Sequence, residues 1–257
     1  HNDYYQSLFL NRNEAEAQKE NVVQYGVITG NTELRTFPTS DVSYGVINDT
    51  AFDLNCETVL KTWERVAVLH ESSDAEWLLV QSYNYLGWAA KDAVALTDRQ
   101  TWLSLKENDW LVVTGNRILL DYSHSHPELS RKELTMGTRL PLLSDKPEQI
   151  DGISTVSSYA AQLPIRRSDG KLEIVPVRVP YGLDVSVGFL PYTQGNLIEQ
   201  AFKMLGERYG WSGLWNARDC SSYIMDVYQC FGIDLPRNAN NQAAVAEKRI
   251  DVSQMSD

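Results

Sequence analysis

The segment Arg218-Asp219-Cys220-Ser221-Ser222-Tyr223-Ile224 constrains this chain more tightly than any other, because it fixes a helix and the place of a thiol on it. Counting from Cys220, apolar and aromatic residues recur at Tyr223, Ile224, Val227, Tyr228 and Phe231, a single stripe at the helical period. Asp219 is a favoured N-cap residue, and Gly232 followed by Pro236 supplies a stop. The spacing predicts a short amphipathic helix with Cys220 in its first turn. There the sulfur faces unpaired backbone N–H groups and the positive end of the helix dipole, which favours thiolate over thiol. A cysteine nucleophile needs that environment. The competing reading makes Cys220 one more small apolar residue on the core face, as most buried cysteines are. Helix geometry alone leaves both open.

Composition narrows the field. At 257 residues the chain is long enough for two or three domains, and 43% hydrophobic residues can fill their cores. The net charge of −11, with no basic tract, argues against nucleic acid as a partner. No apolar run approaches the roughly 18 residues of a membrane span. Three cysteines, Cys56, Cys220 and Cys230, make no disulfide framework, and ten helical residues would hold Cys220 and Cys230 about 15 Å apart. The chain opens on His1, which points to a segment removed upstream, such as a signal peptide.

Texture along the chain predicts four regions. Residues 1–24 are polar and helix-permissive, an N-terminal arm with a short helix. Residues 25–98 carry short strands separated by turns: Val66–His70, Trp77–Ser82 and Tyr85–Ala90. They predict a small all-β barrel. Residues 99–190 repeat the texture with Trp110–Gly115, Arg117–Asp121, Thr138–Leu143 and Lys171–Val179, where Pro176 and Pro180 mark an edge strand. They predict a second barrel. From 191 to 257 the pattern is helical: Asn196 to Glu199 reads as a capping box, and a third helix follows from about Asn238.

Three motifs in that last region carry a resemblance. Leu205-Gly206-Glu207-Arg208-Tyr209-Gly210-Trp211-Ser212-Gly213, then Asp219-Cys220-Ser221-Ser222, then Gly232-Ile233-Asp234-Leu235-Pro236-Arg237-Asn238 resemble the NlpC/P60 papain-like cysteine peptidases. Asn84-Tyr85-Leu86-Gly87-Trp88 looks like part of a bacterial SH3 (SH3b) module. The order of arm, two SH3b-like barrels and peptidase is similar to the γ-D-glutamyl-L-diamino acid endopeptidases. The resemblance implies the helical, nucleophile-bearing half of an α+β papain-like domain at 191–257. It also implies an exported bacterial enzyme of the cell envelope or periplasm, acting on peptidoglycan stem peptides without metal or cofactor. By the same resemblance Cys220 attacks the amide carbonyl beside γ-linked D-glutamate. Tyr209 and Trp211 would lie against the substrate, and Asp219 and Ser221 flank the nucleophile. Asp219 with Tyr85 would hold the free amine of an N-terminal L-Ala. Asn238-Ala239 stands where many relatives have Asp-Ser, which removes a carboxylate and a hydroxyl from that pocket.

Such an enzyme also needs a histidine base beyond the nucleophile, and all four histidines, His1, His70, His124 and His126, precede Cys220. The expectation is that a missing segment or a second chain supplies it. The alternative is a non-catalytic SH3b-type wall-binding protein with a degenerate third domain. His124-Ser125-His126 has metal-pair spacing but no further ligand nearby, so it reads as a solvated loop. His70, at the end of an apolar strand, reads as a barrel residue.

Overall fold

Alternation of apolar and polar residues decides the first β region. In Arg65–Glu71, Val66 and Val68 are buried while the residues between them are half-buried, the mark of a strand with one face on a core. Across a turn closed by Ser72 and Asp74, Trp77–Gln81 repeats the pattern with Leu78 and Val80 inward. The computed structural model describes residues 2–17, 22–47, 49–105 and 109–245. Its first seven strands are β1 (Gln24–Ile28), β2 (Thr32–Arg35), β3 (Cys56–Leu60), β4 (Arg65–Glu71), β5 (Trp77–Gln81), β6 (Leu86–Ala90) and β7 (Val94–Thr97). They form one antiparallel sheet in the order β3-β2-β6-β5-β4-β1-β7. Ile28, Leu34, Leu60, Val66 and Val80 fill its core.

Before it stand α1 (Asn2–Asn11) and α2 (Glu14–Ala17), so the arm carries two helices where one was expected. A further short helix, α3 (Arg99–Ser104), is capped by Asp98, which accepts from Thr101 N–H; its 6 residues, under two turns, are too few to register as periodicity.

The second β region comprises β8 (Trp110–Val113), β9 (Arg117–Leu119), β10 (Glu133–Thr135), β11 (Arg139–Pro141), β12 (Gln149–Ile150), β13 (Ile153–Ser154), β14 (Ser158–Arg166), β15 (Leu172–Pro180) and β16 (Val185–Val187). These strands divide among four small sheets, β11-β8-β16, β10-β9, β12-β13 and β14-β15. The two regions expected as separate barrels share a core: Val27 and Trp63 from the first pack with Leu111, Leu140, Leu163 and Val179 from the second. The Trp63 indole donates to Gln162 O at 2.9 Å, which ties the two together. Strand β14 lies in a stretch that sequence assigned to a polar loop. It pairs with β15 along its length, and on its other side is bridged near its start, Leu142 to Ala161, so Pro164 removes no hydrogen bond of a second full ladder.

Three helices follow: α4 (Gln194–Phe202), α5 (Cys220–Gln229) and α6 (Ala239–Val245). Helix α4 starts earlier than the capping-box pattern predicted. Thr193 accepts from Asn196 N–H at 3.2 Å and takes the N-cap, leaving Asn196 inside the first turn. Helix α5 begins at Cys220 as predicted, but its buried face is turned from the apolar stripe. Met225 and Val227 are buried with Asp226 and Gln229, while Ile224 remains 38% exposed.

Two buried cations explain that rotation. Lys61, just past β3, extends Nζ to Asp226 Oδ1, Gln229 Oε1 and Met136 O, each at 2.6 Å. Arg218 donates from Nε to Asp226 Oδ2 at 2.9 Å, from Nη1 to Glu207 Oε2 at 2.8 Å and from Nη2 to Asn116 O at 2.7 Å. Asp226 therefore holds both β regions against α5. Removing one member of such a cluster leaves a buried charge uncompensated. Asp226→Asn is expected to cost about 3–5 kcal/mol, read as a fall in ΔG from urea denaturation.

Glu64 adds a pH dependence at the same interface. Its Oε1 accepts from Lys61 N–H at 3.0 Å, while the enclosed Oε2 has no partner among the described residues. Burial pushes the carboxyl up from 4.5 to about 7. The native state then holds a proton that the unfolded chain has released, so this stabilisation is complete below pH 4.5 and is lost as pH rises through 7. The urea midpoint should fall between pH 5 and 7.5, and Glu64→Gln should flatten that fall.

Candidate active site

The site is assembled at the N-terminus of α5. Asp219 is in extended backbone and accepts from Ser222 N–H at 2.8 Å, while Ser222 Oγ accepts from Asp219 N–H at 2.9 Å. This reciprocal cap stops the helix at one residue and leaves Cys220 exposed in the first turn. The stripe that placed Cys220 on the core face is corrected accordingly. Cys56 and Cys230 are the buried thiols, and burial first of all pushes them up to about 12 and about 11.

Chain pairing brings the aromatic loop alongside. Gly210 N–H donates to Arg218 O at 2.9 Å, and Tyr209 bridges Arg218 in parallel. The Tyr209 hydroxyl reaches the backbone N–H of Cys220; burial, with the charge of Asp219, pushes its pKa up. Trp211 is half-buried and packs its ring edge-on to Phe52 at 5.2 Å, and Phe52 lies 6.1 Å from Tyr209. The turn Trp211–Asn216 continues with positive φ at Ser212, Gly213, Trp215 and Asn216. Tertiary contacts hold this strained run in place. Gly213, at φ 98°, rests against Val59 of β3 so closely that an added Cβ would lie 3.0 Å from Val59 Cβ. Asn216 bonds to Asn31 and Glu133 at 2.9 Å each.

The first sheet contributes a second wall. The Tyr85 hydroxyl donates to Glu57 Oε2 at 2.5 Å and also meets the Asn238 side chain. Burial and the Glu57 carboxylate push Tyr85 up to about 12, so it stays protonated. Glu57 accepts further from Thr36 Oγ1, at 2.5 Å, and has no cation partner among the described residues. Asp219, in contrast, is 8% exposed and bonded to Arg237. Burial by itself would raise its carboxyl, but the Arg237 hydrogen bond and charge, with the Ser222 N–H, hold it below the usual value. Ser221 is also buried and accepts from Arg237 Nη1 at 2.7 Å. The polar atoms of Asp219 and Ser221 are thus turned to Arg237, whereas Tyr209 faces Cys220, Trp211 packs on Phe52 and Tyr85 meets Glu57 and Asn238. Phe52, Glu57 and Arg237 complete the arrangement and were missed from sequence; Arg237 lay within a quoted motif, but nothing local marks it as the partner of Asp219.

The chain resembles known proteins at two places. A family model described as an SH3 domain of the SH3b1 type matches residues 46–90, and one described as the NlpC/P60 family matches residues 206–257. This chain carries an SH3b domain and an NlpC/P60 domain. The fold agrees with an NlpC/P60 endopeptidase from Photobacterium damselae subsp. piscicida at TM-score 0.79 and 23% identity, over 93% of this chain and 50% of that one. It also agrees with an NlpC/P60 family protein from Bacillus cereus ATCC 10987 at TM-score 0.62 and 18% identity, over 90% of this chain and 80% of that one. The chain spans about half the length of the Photobacterium protein. No curated protein matches by sequence.

In the NlpC/P60 domain the thiol therefore sits where backbone donors of a helix N-terminus converge, a setting suited to attack on a carbonyl and to holding the resulting oxyanion. The described histidines make contacts with residues outside this site, His126 Nδ1 lying 3.6 Å from Glu128 Oε1. His70 Nε2 lies 3.0 Å from Asn13 O, and the backbone N–H groups of His124 and Ser125 bond to Asp151. Among the described residues no group of three or more His, Cys, Asp or Glu is arranged to hold a metal ion, and no helix is long and apolar enough to cross a membrane.

The three thiols should separate by reactivity. Iodoacetamide at pH 7.5 should modify Cys220 alone in the native protein, and all three cysteines in urea. Mass mapping that finds Cys56 or Cys230 labelled as fast as Cys220 would contradict the site.

Proposed function

We propose that this chain bears the nucleophile of a cysteine peptidase that cleaves the γ-D-glutamyl–L-diamino acid bond of peptidoglycan stem peptides carrying a free N-terminal L-Ala. The observation that carries the reading is an exposed Cys220 at the capped N-terminus of α5, inside the residues that match the NlpC/P60 family. The thiolate attacks the carbonyl carbon, and N–H groups at the helix end with the Tyr209 hydroxyl stabilise the oxyanion. The intermediate collapses by breaking the C–N bond, and the diamino acid leaves as its protonated amine. Water then hydrolyses the thioester to give the γ-D-Glu carboxylate and return the thiol. Proton transfer calls for a histidine base beside Cys220.

Recognition of the amine falls to Glu57 with Tyr85. Asp219 was the residue expected for this task, but its charge is matched by Arg237, while Glu57 is a carboxylate with no cation beside it. An ammonium donated to Glu57 makes a charge-assisted hydrogen bond worth about 1.5–3 kcal/mol. An acylated N-terminus, as in a longer peptide or an intact glycan strand, cannot make it. The protein would then trim released peptides in the envelope or periplasm of a bacterium.

A covalent probe tests this with the chain as it stands, since alkylation needs no base. L-Ala–γ-D-Glu carrying a chloromethyl ketone at the scissile position should label Cys220, and acetylating its amine should slow labelling about tenfold or more. Glu57→Gln should remove that preference. Labelling of Cys220 no faster than by chloroacetamide would overturn the reading.

A further inference from the structure

The residues on both sides of Cys220 are bonded to one buried guanidinium. Arg237, 4% exposed, donates from Nη2 to Asp219 Oδ2 at 2.5 Å and from Nη1 to Ser221 Oγ at 2.7 Å. Its third edge, Nε, donates to Thr58 Oγ1 of β3 at 2.7 Å. Thr58 adjoins Glu57, whose carboxylate meets Tyr85. We propose that Arg237 is a positioning residue that locks the first turn of α5 to strand β3, so that the Cys220 thiol and the Glu57–Tyr85 wall are held in one frame. The part of this inference that concerns the Glu57–Tyr85 wall rests on the peptidase reading above; the part that concerns the thiol does not.

The chemistry of the contact requires arginine. A planar fork can hold a carboxylate and a hydroxyl on one edge and a second hydroxyl at Nε, which a lysine ammonium on a flexible stem cannot reproduce. Stability alone does not account for it, because a buried ion pair contributes little net stability compared with well-packed apolar residues. What the pair does supply is geometry and charge balance. Without Arg237 the Asp219 carboxylate would be uncompensated beside the thiol. The other groups facing that end of the helix are the Tyr209 phenol on one side and the Tyr85–Glu57 pair on the other, and none of them is a cation.

The test compares Arg237→Gln, Arg237→Lys and Thr58→Val with the parent, each shown to be folded by near-UV circular dichroism. Two readouts are taken: the pH dependence of iodoacetamide alkylation of Cys220, and the preference of the L-Ala–γ-D-Glu chloromethyl ketone for a free over an acetylated amine. For Arg237→Gln the alkylation midpoint should rise by about one pH unit, with about tenfold slower reaction at pH 7. Arg237→Lys, which keeps the charge, should leave the midpoint near the parent's but reduce the amine preference about threefold or more. It decides the matter if the glutamine variant does not fold. Thr58→Val should behave like Arg237→Lys. A parent-like pH profile in folded Arg237→Gln, or undiminished amine preference in both other variants, overturns the proposal. A parent protein with no amine preference at all would instead sink the substrate reading and leave the alkylation result standing.

Discussion

Strand β3 is the constraint on which the rest of the structure depends. It is five residues long, it stands at the edge of the first sheet, and nearly every residue on it performs a separate task. Cys56 and Leu60 anchor it in the interior, Glu57 reaches Tyr85, Thr58 reaches Arg237, and Val59 supports Gly213. Lys61 follows at once and reaches Asp226. An exposed sheet edge is a liability, since its unpaired backbone invites association. Here the strained Trp211–Asn216 turn packs against the edge and covers it. The protection of one domain's edge is thereby the same contact that shapes the other domain's aromatic loop.

Charge placement follows the same logic. Lys61, Arg218 and Arg237 are drawn inside a chain whose net charge is −11, each matched to Asp226, Glu207 or Asp219. Burying such pairs brings little stability compared with apolar packing, because desolvation offsets most of the Coulomb attraction. Their effect is to make the docking of α5 directional. An apolar interface would tolerate sliding or rotation of the helix, whereas Asp226 bonded to two cations from two different regions allows one orientation. A nucleophile at the end of that helix benefits from this, since a misplacement of about 1 Å costs heavily in attack geometry.

These couplings mark the limit of what was legible in the sequence. The N-cap at Asp219, the start of α5 and the strands β4, β5 and β6 follow from local chemistry, and local chemistry is written in neighbouring residues. The orientation of α5 is not local. Its apolar stripe is kept at Val227 and Phe231, but Ile224 is exposed and Asp226 buried because Lys61, 165 residues away, and Arg218 sit beneath it. Strand β14 lay in a stretch read as a polar loop, although it pairs with β15 from Ser158 to Arg166. The seam between the two β regions is not local either. Trp63 and Val27 belong by sequence to the first region and by packing to the second. In the site, the motif Leu235-Pro236-Arg237 was visible, yet the identity of its partner depended on a fold that brings residue 237 to residues 58 and 219.

The open side of Cys220 follows from these positions. The Tyr209 hydroxyl faces the backbone of Cys220, while Asp219 and Ser221 are turned inward to Arg237. The base of a papain-like reaction must therefore approach from the solvent side, where the thiol is exposed. An imidazolium arriving there would meet a thiolate at the positive end of α5 and, one residue away, a carboxylate already neutralised by Arg237. Had Asp219 been free, it would have competed with the thiolate for the imidazolium and drawn the proton acceptor off line. Satisfying Asp219 from below thus removes the carboxylate next to the nucleophile from competition for an incoming histidine, which favours the polarity that a thiolate–imidazolium pair requires.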